Sequence, residues 1–241
     1  MRKVSFFLFV NSKSGGEKGK RYLTVPKHRL DYQYSKDVNI TLYLVDLFDQ
    51  EEKERALQRL GRCVEKAGRG ERQEVRVVVC GGDGTVIWVI EMIAKHGIDT
   101  ALIVFTIIPI GTGNDFARCL GWGGSPLRFS GDRLEPLKMR IIEWLNGEEK
   151  YFDLWTVELK TYEDGTIFQI RNKEEVDTKQ QQLTRGFCNY IGVGTDARIC
   201  YSVEKRRQRN KWLNLALYGC IGFCKLFKRI RSTHEAVHVF R

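Results

Sequence analysis

Two short apolar runs, each ending in glycines and each followed by a helical pattern, constrain the fold of this chain more than any other feature. Residues 75–80 run into Gly81-Gly82-Asp83-Gly84-Thr85, and residues 103–110 run into Gly111-Thr112-Gly113-Asn114-Asp115. Both runs are rich in β-branched residues and short enough to be fully buried strands. A strand–loop–helix unit that recurs predicts an α/β fold, a three-layer parallel sheet with helices on both faces. The ligand site of such a sheet lies at the carboxyl ends of its strands, where loop and helix-start N–H groups point outward. The carboxylates inside the loops, Asp83 and Asp115, point beyond binding to catalysis or to organising a cation.

The same pattern extends on both sides. Residues 4–10 read as a first strand leading into Asn11-Ser12-Lys13-Ser14-Gly15-Gly16, a third loop at the same sheet edge. Residues 40–47 read as another strand, and the stretch before them, to Asp37, has no clear pattern. Residues 51–68 place Leu57, Leu60, Val64 and Ala67 on one helical face. Val86, Val89, Ile90 and Ile93 form a second such face, with Thr85 as its expected N-cap. Asn114 or Asp115 is the expected cap of a short helix reaching Leu120.

Near Glu148 the pattern changes, which predicts a nucleotide-binding lobe over residues 1–148 and a second, β-rich lobe over 149–241. In the second lobe, residues 151–160 and 166–171 read as a hairpin around Glu163-Asp164-Gly165. Residues 171–184 read as a mobile polar loop, 186–193 as a strand, 198–230 as mostly helical and basic, and 234–240 as a last strand. A sheet ending on one short strand reads as unfinished, so a partial second lobe is expected.

Composition removes several classes. A chain of 241 residues buries enough surface to fold without disulfides or structural metals. Its seven cysteines are scattered, no CxxC occurs, and four histidines give no zinc pattern. This suits a reducing cytoplasm. The N-terminal apolar stretch is too short for a signal peptide and lacks a cleavage site. No run approaches the roughly 20 apolar residues of a membrane span. The net charge is +10, and residues 196–241 carry eleven Lys/Arg against three Asp/Glu. Such a field favours an anionic partner, a membrane surface included. No nucleic-acid-binding motif accompanies it.

The phosphate-binding loops fit neither common fingerprint. No GxxxxGK[ST] occurs, and Phe116 stands where a dinucleotide fold needs its third glycine. Gly192-Val193-Gly194-Thr195-Asp196-Ala197 matches GxGxxA but lacks the acidic ribose partner about 20 residues on. Gly82 and Gly84 allow backbone to approach phosphate oxygens and to adopt positive φ. Asp83 beside a polyphosphate requires a cation or a protonatable substrate, hence Mg²⁺ or a base for a substrate hydroxyl; an Asx turn is the plain alternative. Thr112 and Asn114 could donate to phosphate or ribose, or cap a helix. Lys13 is a phosphate counter-charge or an exposed loop lysine.

These strings resemble the eukaryotic diacylglycerol kinases. The resemblance rests on residues 11–16, on Gly81-Gly82-Asp83-Gly84-Thr85-Val86 with Trp88, and on residues 109–118 with Leu120-Gly121-Trp122-Gly123. Phe152-Asp153-Leu154-Trp155 and residues 189–197 are similar to the start and core strand of that family's accessory domain. Ser12, Leu154 and Thr195 depart from the family pattern. The resemblance implies ATP- and Mg²⁺-dependent phosphorylation of diacylglycerol to phosphatidic acid by a cytoplasmic, peripherally membrane-bound enzyme. Asn11, Lys13, Gly81, Gly82, Gly84, Thr85, Gly111, Thr112, Gly113 and Asn114 would bind ATP. Asp83, also the expected Mg²⁺ contact, and Asp115 would serve catalysis. A sphingoid or ceramide kinase, or a non-catalytic ATP- or lipid-binding fragment, are the alternatives. The basic C-terminal stretch is either a helix packed on the accessory sheet or a lipid-facing one. The second reading uses Lys205, Arg206, Arg207, Trp212, Lys225, Lys228 and Arg229, with Leu213, Leu217, Ile221 and Cys224 sharing a helical face.

Overall fold

The computed structural model describes residues 1–24, 28–125, 134–171, 174–188, 190–208 and 210–227. The chain divides into two units, Met1–Phe152 and Asp153–Arg241. The first begins with β1 (Arg2–Val10), two single turns α1 (Ser14–Glu17) and α2 (Lys20–Leu23), and the strands β2 (Arg29–Ser35) and β3 (Val38–Asp46). It continues with α3 (Gln50–Gly68), β4 (Gln73–Gly81), α4 (Asp83–Lys95), β5 (Ile103–Pro109), α5 (Asp115–Cys119) and α6 (Leu134–Leu145). The sheet order is β2-β3-β1-β4-β5, parallel throughout except for the antiparallel edge strand β2. That edge strand occupies the stretch whose sequence had no clear pattern. Its exposed side chains alternate too weakly to announce a strand.

Seven consecutive residues of β1, from Val4 to Val10, are buried, as a strand covered on both faces must be. One face packs Phe6, Leu8, Leu42 and Leu44 against Leu137, Ile141 and Trp144 of α6 and Tyr22 of α2. Across the sheet, α3 and α4 pack on β3, β1 and β4. The predicted three-layer sheet is therefore present. Among the described residues, Arg76 of β4 is the one charged side chain that is buried. It is 4 % exposed and donates to Trp144 O (2.8 Å) and to Glu149 Oε1 (2.6 Å), with Glu74 as a third partner. Burial lowers the Arg76 pKa, and Glu149 opposes the shift.

The second unit holds β6 (Trp155–Lys160), β7 (Phe168–Arg171), β8 (Glu174–Asp177), β9 (Gln182–Phe187), α7 (Thr195–Arg206) and α8 (Lys211–Leu226). Its pairing corrects the sequence reading. β6 does not form a hairpin with β7; it pairs antiparallel with β9, while β7 pairs with β8. Residues 163–165 form a turn, closed by Gly165 N–H to Tyr162 O (2.9 Å), but the chain leaves it into a nested second hairpin. The expected mobile loop is thus largely β8 and the start of β9. The strand expected over 186–193 ends at Phe187. The strand expected over 234–240 lies outside the described residues.

Candidate functional site: three loops at one sheet edge

The loops after β1, β4 and β5 converge where the sequence predicted. Asn11 N–H donates to Cys80 O (2.9 Å) and Ile110 N–H to Gly81 O (2.9 Å), so the three strand ends are tied in a row. Asn11 Nδ2 then donates to Thr85 Oγ1 (3.1 Å), joining the first loop to α4. Gly15, at φ +62°, faces the last residue before the second glycine loop: a Cβ there would meet Ile110 O at 2.2 Å. The two glycine loops themselves touch backbone to backbone. A Cβ on Gly111 would lie 2.7 Å from Gly82 Cα, and one on Gly81 would meet Thr85 Cβ at 2.5 Å. Gly84 is different, since a Cβ there would meet nothing within 4 Å.

This corrects the reason given for the glycines. Gly82 has φ −104° and Gly84 lies within α4, so neither uses the left-handed region. Gly82 and Gly111 are needed for loop-to-loop packing and Gly81 for the close approach of Thr85. Of these four, Gly84 alone borders open space.

The capping assignments also change. Thr85 does not cap α4; Gly82 holds the cap position, and Thr85 is buried in the first turn. Neither Asn114 nor Asp115 supplies a side-chain cap for α5. Asp83 does so from another loop: its Oδ2 accepts from Asp115 N–H (3.1 Å) and its Oδ1 from Phe116 N–H (2.9 Å). A charge at a helix start meets both free donors and the positive end of the dipole. Asn114 sits in the left-handed region (φ 59°) and is 1 % exposed. Its Nδ2 donates to Gly111 O and Gly124 O, both at 3.0 Å, while its Oδ1 is buried with no partner among the described residues. Asn114 thus fastens its own loop.

Asp83 and Asp115 come together around Gly113. A Cβ on Gly113 would lie 3.3 Å from Asp115 Oδ2 and 3.6 Å from Asp83 Oδ2. Among the described residues, no acceptor is paired with the backbone N–H groups of Asp83, Gly84, Thr112 or Gly113. The edge therefore offers unpaired donors beside two carboxylates. Lys13, in the first loop, holds its ammonium 4.0 Å above the Phe48 ring, and Phe48 packs on Trp88. Sequence reasoning did not single out Asp46, which accepts from Ser12 Oγ (3.0 Å) and holds the first loop to the end of β3. Nor did it assign a role to Arg118, whose Nε donates to Gly113 O (3.3 Å). An acidic residue at a strand's last position was the one available signal for Asp46.

The residues expected to face lipid lie in the second unit. Lys205 pairs with Glu175 (3.0 Å), Arg207 with Glu204 (2.8 Å), and Arg206 donates to Ser202 O (3.1 Å). Trp212 is exposed, and Lys225 is half-buried on α8. Lys228 and Arg229 lie outside the described residues. The expected α8 face is displaced. The inward side runs through Asn214, Leu217 and Ile221, whereas Leu213 and Cys224 are exposed. Asn214 fixes this rotation, exchanging hydrogen bonds with the Gln208 backbone (2.7 and 2.8 Å).

Comparison with known proteins supplies the family. Residues 5–141 match the diacylglycerol kinase catalytic domain, and residues 186–240 the diacylglycerol kinase accessory domain. Among similar proteins of Arabidopsis thaliana, diacylglycerol kinase 4 is 30% identical over 236 residues, covering 87% of this chain and 45% of the relative. Diacylglycerol kinase 3 is 29% identical over 247 residues, covering 89% and 48%. Diacylglycerol kinase 1 is 32% identical over 160 residues, covering 64% and 20%. The chain thus spans from a fifth to about half the length of these relatives. No solved structure matches it. With the catalytic-domain match extending over more than half of its residues, the chain belongs to the diacylglycerol kinase family.

Proposed function

We propose that this chain carries the nucleotide site of an ATP-dependent kinase that phosphorylates the free hydroxyl of 1,2-diacylglycerol, yielding phosphatidic acid. The observation that carries this reading is the convergence of Asp83 and Asp115 on Gly113, beside backbone donors that no acceptor among the described residues engages. Phosphoryl transfer needs little covalent help from protein; it needs positioned donors and neutralised charge. The N–H groups of Asp83, Gly84, Thr112 and Gly113 would hold phosphate oxygens at the start of α4, where the helix dipole favours anions. Asn11, Gly81, Gly82, Thr85, Gly111 and Asn114 would act one step back, fixing the shape of that cradle. Lys13 would add positive charge at its border.

The two carboxylates fit Mg²⁺, which takes one or two carboxylates together with substrate phosphates and water. Each Asp83 oxygen that accepts one N–H keeps a further lone pair. When bound, the ion would supply charge neutralisation between phosphate groups. Asp83 holds α5 in place and would accept the proton of an attacking hydroxyl. Asp115 completes the acidic pair.

The test is transfer of label from [γ-³²P]ATP to a panel of lipids in mixed micelles, with products separated by chromatography. Labelled phosphatidic acid is expected, and Asp83→Ala should lower turnover by about two orders of magnitude or more. Asp83→Asn keeps an acceptor for α5 but loses the charge, so it should recover stability and not turnover. Labelled sphingosine without phosphatidic acid would assign the other lipid class. Near-normal turnover in Asp83→Ala would remove that residue from the chemistry.

A further inference from the structure

We propose that Arg118 receives the terminal phosphate of the nucleotide and offsets its charge during transfer. The inference rests on the reading of this sheet edge as a nucleotide site and names the cation that faces the phosphate in transfer. Arg118 lies in the last turn of α5 and is exposed. Its Nε donates to Gly113 O (3.3 Å), and its guanidinium packs against Gly124, where a built Cβ would meet Cζ at 2.6 Å. The Gly124 carbonyl in turn accepts from Asn114 Nδ2 (3.0 Å), so the guanidinium is clamped between two points of one fastened loop. Its two Nη groups have no acceptor among the described residues. Gly113 also borders both carboxylates, with Asp115 Oδ2 at 3.3 Å and Asp83 Oδ2 at 3.6 Å from its built Cβ. Guanidinium, both acids and the unpaired Gly113 N–H therefore meet around one residue. Arg118 nevertheless pairs with neither acid, and Asp83 turns its two oxygens to the N–H groups of Asp115 and Phe116.

Charge balance assigns the ligand. Two carboxylates already stand at this edge, a polyphosphate adds further negative charge, and one divalent cation offsets only part of the sum. Lys13, the other cation expected here, holds its ammonium over the Phe48 ring. Arg118 is the cation at Gly113 that has no anionic partner among the described residues. A guanidinium stays charged at any physiological pH, and its planar fork matches two oxygens of one phosphate. The clamp at Gly113 and Gly124 holds that fork in place before a ligand arrives, so little freedom is lost on binding. In the proposed reaction the substrate hydroxyl oxygen forms the new P–O bond, the bond from the terminal phosphorus to the ADP oxygen breaks, and the hydroxyl proton passes to Asp83. The phosphate in transfer then lies nearest the two acids, and hence nearest Gly113 and the group anchored on it. Arg118 neither gains nor loses a proton in that step. Its fixed donors meet the charge on the transferred oxygens without having to reorganise. The plain alternative is a purely structural clamp, an arginine that ties the last turn of α5 to the loop before it.

The experiment is titration calorimetry of the full 241-residue chain with ATP and with ADP, each with Mg²⁺ and without lipid. The native protein is expected to bind ATP more tightly than ADP. Arg118→Gln should weaken ATP binding at least about tenfold and ADP binding by less than about twofold, so the preference for the terminal phosphate collapses. Arg118→Lys keeps the charge and loses the fork, and should recover part of that preference. A purely structural clamp gives another pattern: both nucleotides weaken together, because both use the loop at Gly113. Equal losses overturn the proposal, and so do unchanged affinities. A second measurement needs no variant. Phenylglyoxal modifies accessible arginines, and mass spectrometry can follow Arg118 in the native protein. ATP should slow its modification more than ADP does; equal protection by the two, or none, overturns the proposal even where the variants fail to fold. Binding of neither nucleotide refutes the nucleotide site and this inference with it. Binding of both, with the preference intact in Arg118→Gln, refutes the role of Arg118 alone.

Discussion

Glycine does two different jobs at this one sheet edge, and substitution separates them. Gly111 has no space for a side chain: a Cβ would sit 2.7 Å from Gly82 Cα and 2.8 Å from Asn114 Oδ1. Gly111→Ala must push the two loops apart, and overpacking of this kind costs about 1–3 kcal/mol. Gly84 faces open space within α4, so Gly84→Ala creates no clash. Alanine is the better helix former by ~1 kcal/mol, and that variant should be slightly more stable in urea unfolding. If phosphate approaches at Gly84, the same methyl group lies in its path, and ATP binding measured by calorimetry should weaken in a protein that is no less stable. Unchanged binding would place the phosphates elsewhere. The sequence announced both glycines with equal force because a glycine records only that a Cβ is unwelcome. Whether another loop or a ligand excludes it is a property of the assembled site. Asp83 was ambiguous in the same way: its type and position pointed to a site, but its service as the cap of α5 depends on a helix start 32 residues away.

At the level of elements, the parallel sheet was legible because strands buried on both faces leave a dense apolar run, interrupted in β1, β4 and β5 by a single polar residue each, Ser5, Arg76 and Thr106. Strands of the second unit are short and exposed, and their partners are set by hydrogen-bond register, which leaves little mark on composition. Hence β6 and β7 were recognised and their partners were not. Arg76 shows a further limit, a charge in the middle of an apolar strand that is intelligible only once α6 is docked. Its guanidinium joins β4 to the last turn of α6 through Trp144 O and to Glu149. Arg76→Met would keep the bulk, leave Trp144 O without its donor and leave Glu74 with Arg2 as its partner. Loss of such a buried, multiply bonded cation should cost about 2–4 kcal/mol in chemical unfolding. Glu149 is half exposed, with water as an alternative partner, so Glu149→Gln should cost less than about 1 kcal/mol. Equal losses for the two would show that the network contributes through the surface pair and not through the buried bonds.

For the whole molecule, the distribution of buried side chains sets how it comes apart. Among the described residues, nearly every buried apolar side chain, from Val4 to Trp144, belongs to the first unit; in the second only Val203 joins them. The second unit also keeps Leu159, Phe168, Tyr190 and the outward face of α8 at the surface. Stability follows apolar area removed from water, so the two units cannot be equally resistant to opening. Brief trypsin digestion in the native state should therefore cut within residues 153–227, where lysines and arginines are frequent and the backbone opens at small cost, before it cuts the sheet of the first unit. Mass spectrometry should find a persistent fragment ending near Lys150 or Lys160 and still carrying all three glycine loops. Urea unfolding followed by circular dichroism should give a first transition with a shallow slope and a second with a steep one, because the slope scales with the surface exposed. A single transition, or a surviving fragment that begins after Phe152, would mean that the second unit has a core comparable to the first.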